Sequence, residues 1–293
     1  MESEYLCTLA DVSVVAGDEH VLDNIQYNIR ESVIETFISK DNSASKLLQV
    51  IGGFINADGG EVQYPMYSPS KKNLSKWIQY VPDDIVCYSD MKVKEFLKGV
   101  AIAVGNVEAS KIAGRLCELF EINIDENLLD MTFEQNRLVA MIQAIMAEPK
   151  LLLLDHPYDM IGKQRYGLLL KELVHLKSKG TTILIAADAY DKVVIPCNQY
   201  VFLKDGSIFA QHTKKTLPTL SKVVKLDGGN PGIFNRERMK VLYRTKKSWG
   251  ILYKEESVAE LVLKIYQSGC TNFNVNELTM EEEVYGDYDR WML

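Results

Sequence analysis

The sequence predicts an α/β domain built on a parallel sheet, and three stretches carry that prediction. Leu151–Leu154 is an unbroken run of leucines ending on Asp155. An apolar run without polar alternation suits a strand covered on both faces, as in a parallel sheet. T-T-I-L-I-A-A-D, residues 181 to 188, reads as another buried strand, and Val33–Ser39 is a further apolar run. Such strands bring residues like Asp155 to the carboxyl edge of a sheet, where open α/β folds bind ligands.

The elements follow in order. Leu6 to Ile29 reads as strands around a turn at Gly17-Asp18, ending in the alternation I-Q-Y-N-I. After Val33–Ser39 comes the polar stretch K-D-N-S-A-S-K and then the helical run L-L-Q-V-I-G-G-F-I. Gly59 and Gly60 mark a turn, followed later by I-Q-Y-V-P-D-D at 78 to 84. From Met91 to Leu129 the periodicity is helical. Val93, Phe96, Leu97 and Val100 share one face; Ile112, Leu116, Leu119 and Phe120 share another. Leu138, Met141, Ile142 and Ile145 define a further helix, capped by Thr132 and stopped by Pro149. Gly167–Leu176 is helical, with Gly180 just beyond its end, and Asp205-Gly206 forms a hairpin tip. Past Thr213 the pattern changes to L-D-G-G-N-P-G, a strand at Trp249–Tyr253, an amphipathic helix with Val258, Leu261, Val262 and Ile265, and a strand at Asn272–Val275. A last helix follows, with Glu281, Glu282 and Glu283 expected as a solvated first turn and Trp291 expected to pack it down.

Composition narrows the function classes. The 293 residues suffice for one large α/β domain and an appendix, and 47% hydrophobic with 25% charged residues is ordinary for globular protein. No run approaches the roughly 18 apolar residues of a membrane span, and the acidic start M-E-S-E-Y-L lacks the order of a signal peptide. Net charge −7 argues against a nucleic-acid binder. The five cysteines (Cys7, Cys87, Cys117, Cys197 and Cys270) are scattered without C-x-x-C spacing, which suits reduced thiols and gives no metal site.

The stretch M-T-F-E-Q-N-R-L-V-A-M-I-Q-A-I-M-A-E-P-K-L-L-L-L-D-H-P resembles the signature-to-Walker-B segment of ABC-transporter ATP-binding subunits, L-S-G-G-Q, helix, Pro, four apolar residues, D-E-P. Three further stretches are similar to that family: N-A-D-G-G-E-V, I-Q-Y-V-P-D-D and C-N-Q-Y-V-F-L-K-D-G-S-I. The resemblance implies an ABC-type P-loop NTPase core over residues 1–213, with an antiparallel β subdomain and a helical subdomain at about 85–135. A small α/β, ferredoxin-like appendix is expected over 214–293.

The same alignment puts unexpected residues at the family's working positions. Ala16 stands where an aromatic stacks on adenine, and Asp83 where a glutamine senses γ-phosphate. Thr132, Phe133, Glu134 and Gln135 replace the signature's S-G-G-Q; Phe133 blocks close backbone approach, and Glu134 is expected to point negative charge at a triphosphate. Asp155 keeps the magnesium-side aspartate, His156 replaces the catalytic glutamate, and Ala187 replaces the switch histidine. The loop itself has no glycine, and backbone amides need glycine to turn toward phosphates. Two registers are open: Lys46 is the phosphate lysine, followed by Leu47, or Ala44 takes that place, followed by Ser45. Each lost charge-assisted contact costs about 1.5–3 kcal/mol.

The expectation is therefore a pseudo-ATPase with no catalytic residue, cofactor or metal. It would lie peripherally on the cytoplasmic face of the membrane, dock on an integral membrane transporter subunit, and form a homo- or heterodimer with an ABC ATPase. The ending N-E-L-T-M-E-E-E-V-Y resembles the tail of drug- and peptide-exporter ATPases. The alternatives are an active Mg-ATP-hydrolysing subunit with divergent motifs, or a soluble regulator on the same scaffold.

Overall fold

The computed structural model describes residues 5–65, 77–84, 90–190, 197–228, 232, 234, 236–245, 247–254, 257–270 and 272–291. The chain forms two compact units, one of Met1–Asp188 with Lys192–Lys214, the other of Ala189–Asp191 with Lys215–Leu293. Cys87 lies outside the described residues.

In the first unit, β1 (Tyr5–Ala16), β2 (Glu19–Arg30) and β4 (Gly59–Gln63) make an antiparallel sheet in the order β2-β1-β4. A six-stranded sheet has the order β5-β6-β7-β3-β8-β9. Its strands are β3 (Ile34–Ile38), β5 (Ile78–Val81), β6 (Leu151–Asp155), β7 (Thr182–Ala187), β8 (Gln199–Lys204) and β9 (Ser207–His212). All pairs are parallel except β8 with β9, the hairpin that Asp205 and Gly206 close with positive φ. β3, β6 and β7 are buried at every residue, as unalternated central strands should be.

α1 (Ser43–Ile51) lies between the two sheets. Leu47, Leu48, Val50 and Ile51 join Leu9, Leu22 and Ile25 of the antiparallel sheet and Leu153 and Leu184 of the parallel one in a single core. Each such side chain contributes about 1.5–3 kcal/mol on burial, which anchors the loop before α1 whatever that loop binds.

α2 (Val93–Val104), α3 (Ala109–Phe120) and α4 (Phe133–Met146) form the helical part, and α5 (Lys163–Ser178) returns the chain to β7. Val93, Leu97, Leu116 and Phe120 are buried, whereas Phe96 and Val100 are half-buried. The face that Val93, Phe96, Leu97 and Val100 were expected to share is thus divided. Val93 and Leu97 are core residues, because α2 leans that side on its neighbours. Ile102, Val107, Ile124 and Leu129 are exposed large apolar groups nearby.

The second unit holds β10 (Lys222–Asp227), β11 (Met239–Arg244), β12 (Ser248–Tyr253), α6 (Val258–Gln267), β13 (Asn272–Glu277) and α7 (Met280–Tyr285). Its antiparallel sheet has the order β11-β12-β10-β13. β12, α6 and β13 make one split β-α-β unit with β10 between its strands; a complete ferredoxin-like fold needs two. Between β10 and β11 the described residues hold only a short 3-10 turn, Arg236–Arg238. Leu261 and Ile265 pack α6 on one sheet face; Leu278 and Trp291 cover the other.

The acidic turn differs from expectation. Glu281 and Glu282 are buried, not solvated. Glu281 accepts from the Tyr190 amide, and Glu282 forms a capping box with Thr279 while accepting from Arg290 and Trp291 Nε1. Glu283 accepts from the Ser221 amide at 3.0 Å. Enough donors converge on this turn to repay the burial of its carboxylates.

Candidate functional site

The carboxyl ends of β3, β6 and β7 gather the residues singled out above. Asp155, the last residue of β6, is buried, and three side chains donate to it. Ser45 Oγ lies 2.6 Å from Oδ1, His156 Nδ1 3.0 Å from the same oxygen, and Tyr80 OH 2.9 Å from Oδ2. Burial alone would raise the Asp155 carboxyl; the bonds from His156, Ser45 and Tyr80 outweigh it and hold the group below its ordinary value. The bond to Asp155 likewise raises His156 against the effect of burial, so the two favour an imidazolium–carboxylate pair. His156 reaches this position with φ +46°, a left-handed conformation uncommon for a residue with a side chain.

The network continues outward. Gln49 Nε2 donates to Tyr80 OH at 3.2 Å, and Lys46 Nζ donates to Gln49 Oε1 at 3.2 Å. Lys46 is therefore the outer end of a polar chain that starts at Asp155. The loop before α1 satisfies itself as well. The Ser43 amide donates to Asp41 Oδ1 at 2.9 Å, the Ala44 amide to Ser39 Oγ at 3.1 Å, and the Ser39 hydroxyl to the Asp41 carbonyl. Ala187 ends β7 fully buried, and its carbonyl accepts from the Ser39 amide.

Behind the site stands Arg137, which is 4% exposed. Nη1 donates to the carbonyls of Pro82 and Asp83, and Nη2 to those of Asp155 and His156. One guanidinium on α4 thus fixes the end of β5 and the end of β6 together, a fork geometry that lysine cannot reproduce. Asp83 remains half-exposed, with its carboxyl raised chiefly by burial.

The start of α4 lies apart from this network. Thr132 and Gln135 form a reciprocal capping box. Phe133 is 72% exposed. Glu134 departs from expectation: its carboxylate accepts from the Gly162 amide at 2.9 Å and pairs with Arg165 at 3.2 Å, so its charge is answered within the chain. Ala16 ends β1 on the surface and brings no ring.

Comparison with known proteins puts a frame around this geometry. No family model matches the chain. An uncharacterized ABC transporter ATP-binding protein of Bacillus subtilis, YhaQ, is 25% identical over 218 residues, 72% of either chain. The arabinose import ATP-binding protein AraG of Rhizobium meliloti is 21% identical over 214 residues, 69% of this chain but 41% of its own length. Among solved structures, an ATP-binding subunit of an ABC transporter aligns with a TM-score of 0.66 at 20% identity, covering 72% of this chain and 91% of that one. An ATP-binding cassette dimer holding ADP and phosphate aligns at 0.62 and 18%, covering 71% and 98%. The chain has the fold of an ABC ATP-binding cassette, and its sequence is similar to those of ABC transporter ATP-binding proteins.

The contact of Ser45 with Asp155 fits one of the two loop registers. Ser45, beside Asp155, takes the place of the P-loop hydroxyl, because in P-loop proteins that hydroxyl and the Walker B aspartate share the metal. Ala44 then stands at the lysine position, and Leu47 is a core residue. Lys46, the other candidate, lies a residue beyond the hydroxyl position and contacts Gln49. The residues present do not fit Mg-ATP. No amine stands at the lysine position, the Asp41 carboxylate lies against the first amide of α1, and all three donors on Asp155 come from the chain itself. Sequence reasoning missed Tyr80, Gln49 and Arg137 as parts of this site. Tyr80 and Arg137 had a signal, since both lie within quoted family-like stretches. Gln49 had none beyond its place in the helical run after the loop.

Proposed function

We propose that this chain is a non-hydrolysing ABC-type subunit that works by docking on an integral membrane transporter component and holding it in place. One observation carries the reading: the groups that would meet Mg-ATP are bonded to one another. Binding nucleotide would require breaking the Ser45, His156 and Tyr80 bonds to Asp155 without the lysine that normally compensates. What remains is a complete scaffold and a helical part with exposed apolar side chains, the equipment of an assembly subunit on the cytoplasmic side of a membrane.

Two finer points belong to the same proposal. The relation to cassettes solved as dimers supports pairing with a second ABC ATPase, and the exporter-like tail supports a drug or peptide export system. A second reading, an active ATPase with divergent motifs, is favoured by Ser45 standing beside Asp155, where a metal-sharing pair would stand. Calorimetry of Mg-ATP with the full chain separates the two. The proposal expects no saturable heat, and a dissociation constant at or below ~100 μM, about −5.5 kcal/mol of standard binding free energy, overturns it. Recovery of the chain with a membrane protein, and not in soluble complexes alone, separates an assembly subunit from a soluble regulator.

A further inference from the structure

We propose that the cleft beside the amino-terminal halves of β3 and β8 binds a small zwitterion, a short peptide or amino acid, with its ammonium on Glu35 and its carboxylate on Arg30. The cleft has a volume of about 780 Å³ and lies between the outer edge of the first hairpin and those strands. That volume is within the usual range for small-molecule sites. Glu35 is the second residue of β3, whereas Asp155 lies near the strand's other end. The site is therefore separate from the cassette's nucleotide position, and the inference does not depend on the reading above.

Glu35 is the unusual group. It is 3% exposed in a strand otherwise made of Ile34, Thr36, Phe37 and Ile38. Oε2 accepts from Tyr27 OH at 2.9 Å, and no described residue donates to Oε1. A carboxylate is costly to bury and is ordinarily retained with a full set of partners. Here the side chain lines a cleft, so a donor arriving through it can reach the carboxylate. Burial pushes the group up to about 7, so it stands ready to ionise for a cation.

The walls select for both signs of charge. Arg30 lies near enough to favour the ionised form of Glu35 and makes no ion pair among the described residues. Asn28, Gln199 and Gln211 add carboxamides, each carrying donors and an acceptor, and Gln199 Nε2 already holds Gln211 Oε1 at 2.8 Å. A lone anion would meet Glu35 and Asp11, and a lone cation would meet Arg30. A zwitterion answers both.

Glycylglycine titrated into the full chain near neutral pH tests this, with ethylammonium and acetate as single-charge controls. The expected result is saturable binding below ~20 mM. Glu35→Gln, which keeps the Tyr27 bond, and Arg30→Gln, a surface change, are each expected to weaken it at least tenfold while melting as folded proteins. At pH 6 the wild type should bind several-fold more weakly than at pH 7.5, because a group titrating near 7 is then mostly neutral. No saturation, equal binding of either control, or undiminished binding by both variants overturns the assignment.

Discussion

Replacing Glu35 by glutamine should make the first unit more stable in alkaline solution, although it removes a native charge. A carboxyl that ordinarily titrates near 4.5 is pushed up to about 7, chiefly by desolvation, while the bond from Tyr27 and the charge of Arg30 oppose the shift. The sign follows from proton counting. Between those two pH values the unfolded chain has lost this proton and the folded chain retains it, so folded stability falls as pH rises. At about 1.4 kcal/mol per pH unit, the full window costs about 3 kcal/mol. Glutamine accepts the Tyr27 bond without titrating, so its stability should lack this slope. The assay is urea unfolding at pH 5 and pH 8, followed by Trp77 fluorescence after Trp249→Phe and Trp291→Phe, which confines the signal to the first unit. Trp77 packs against that unit's main core and reports on its loss. The stability difference between Glu35→Gln and wild type should shift by more than about 2 kcal/mol in favour of the variant from pH 5 to pH 8. A difference constant within about 0.5 kcal/mol, the scatter of such measurements, would refute the argument that burial governs this carboxyl.

Other perturbations follow from the same structure. Arg137→Met leaves four carbonyls without their donor and should cost about 3–5 kcal/mol in urea unfolding, with Arg137→Lys recovering only part of it. His156→Glu should create no phosphate release from Mg-ATP, since Ala44 and Ala187 remain. His156→Ala should leave co-purification with the proposed membrane partner unchanged, and turnover in the glutamate variant would show a working cradle. Phe96→Asp combined with Ile102→Asp should abolish that co-purification with the melting temperature little changed. Lys46→Ala should leave it intact, and equal loss with Lys46→Ala would return control of assembly to nucleotide.

The fold was legible because its cues are local. Leu151–Leu154, Thr182–Ala187 and the Asp205-Gly206 tip declare their conformations within a few residues, and the structure adopts them. β10 and β11 were not legible. Lys222–Asp227 and Met239–Arg244 mix lysines and arginines into short apolar runs, and they become strands by pairing, β10 with β12 and β13 and β11 with β12. The same distinction runs through the site. Sequence alignment could place Asp155 and His156, which are neighbours in the chain. It could not choose between Ala44 and Lys46, because that choice depends on a contact across 110 residues, Ser45 to Asp155. Charge was the least legible property of all. Glu134 was expected to face a triphosphate, and Glu281 and Glu282 to be solvated, because key donors to them lie further along the chain. Their partners are Arg165 at a distance of 31 positions, Tyr190 on another segment, and Arg290 past the end of α7. A carboxylate's role is set by which donors the fold brings to it, and those donors are what a mutation series must remove to assign it.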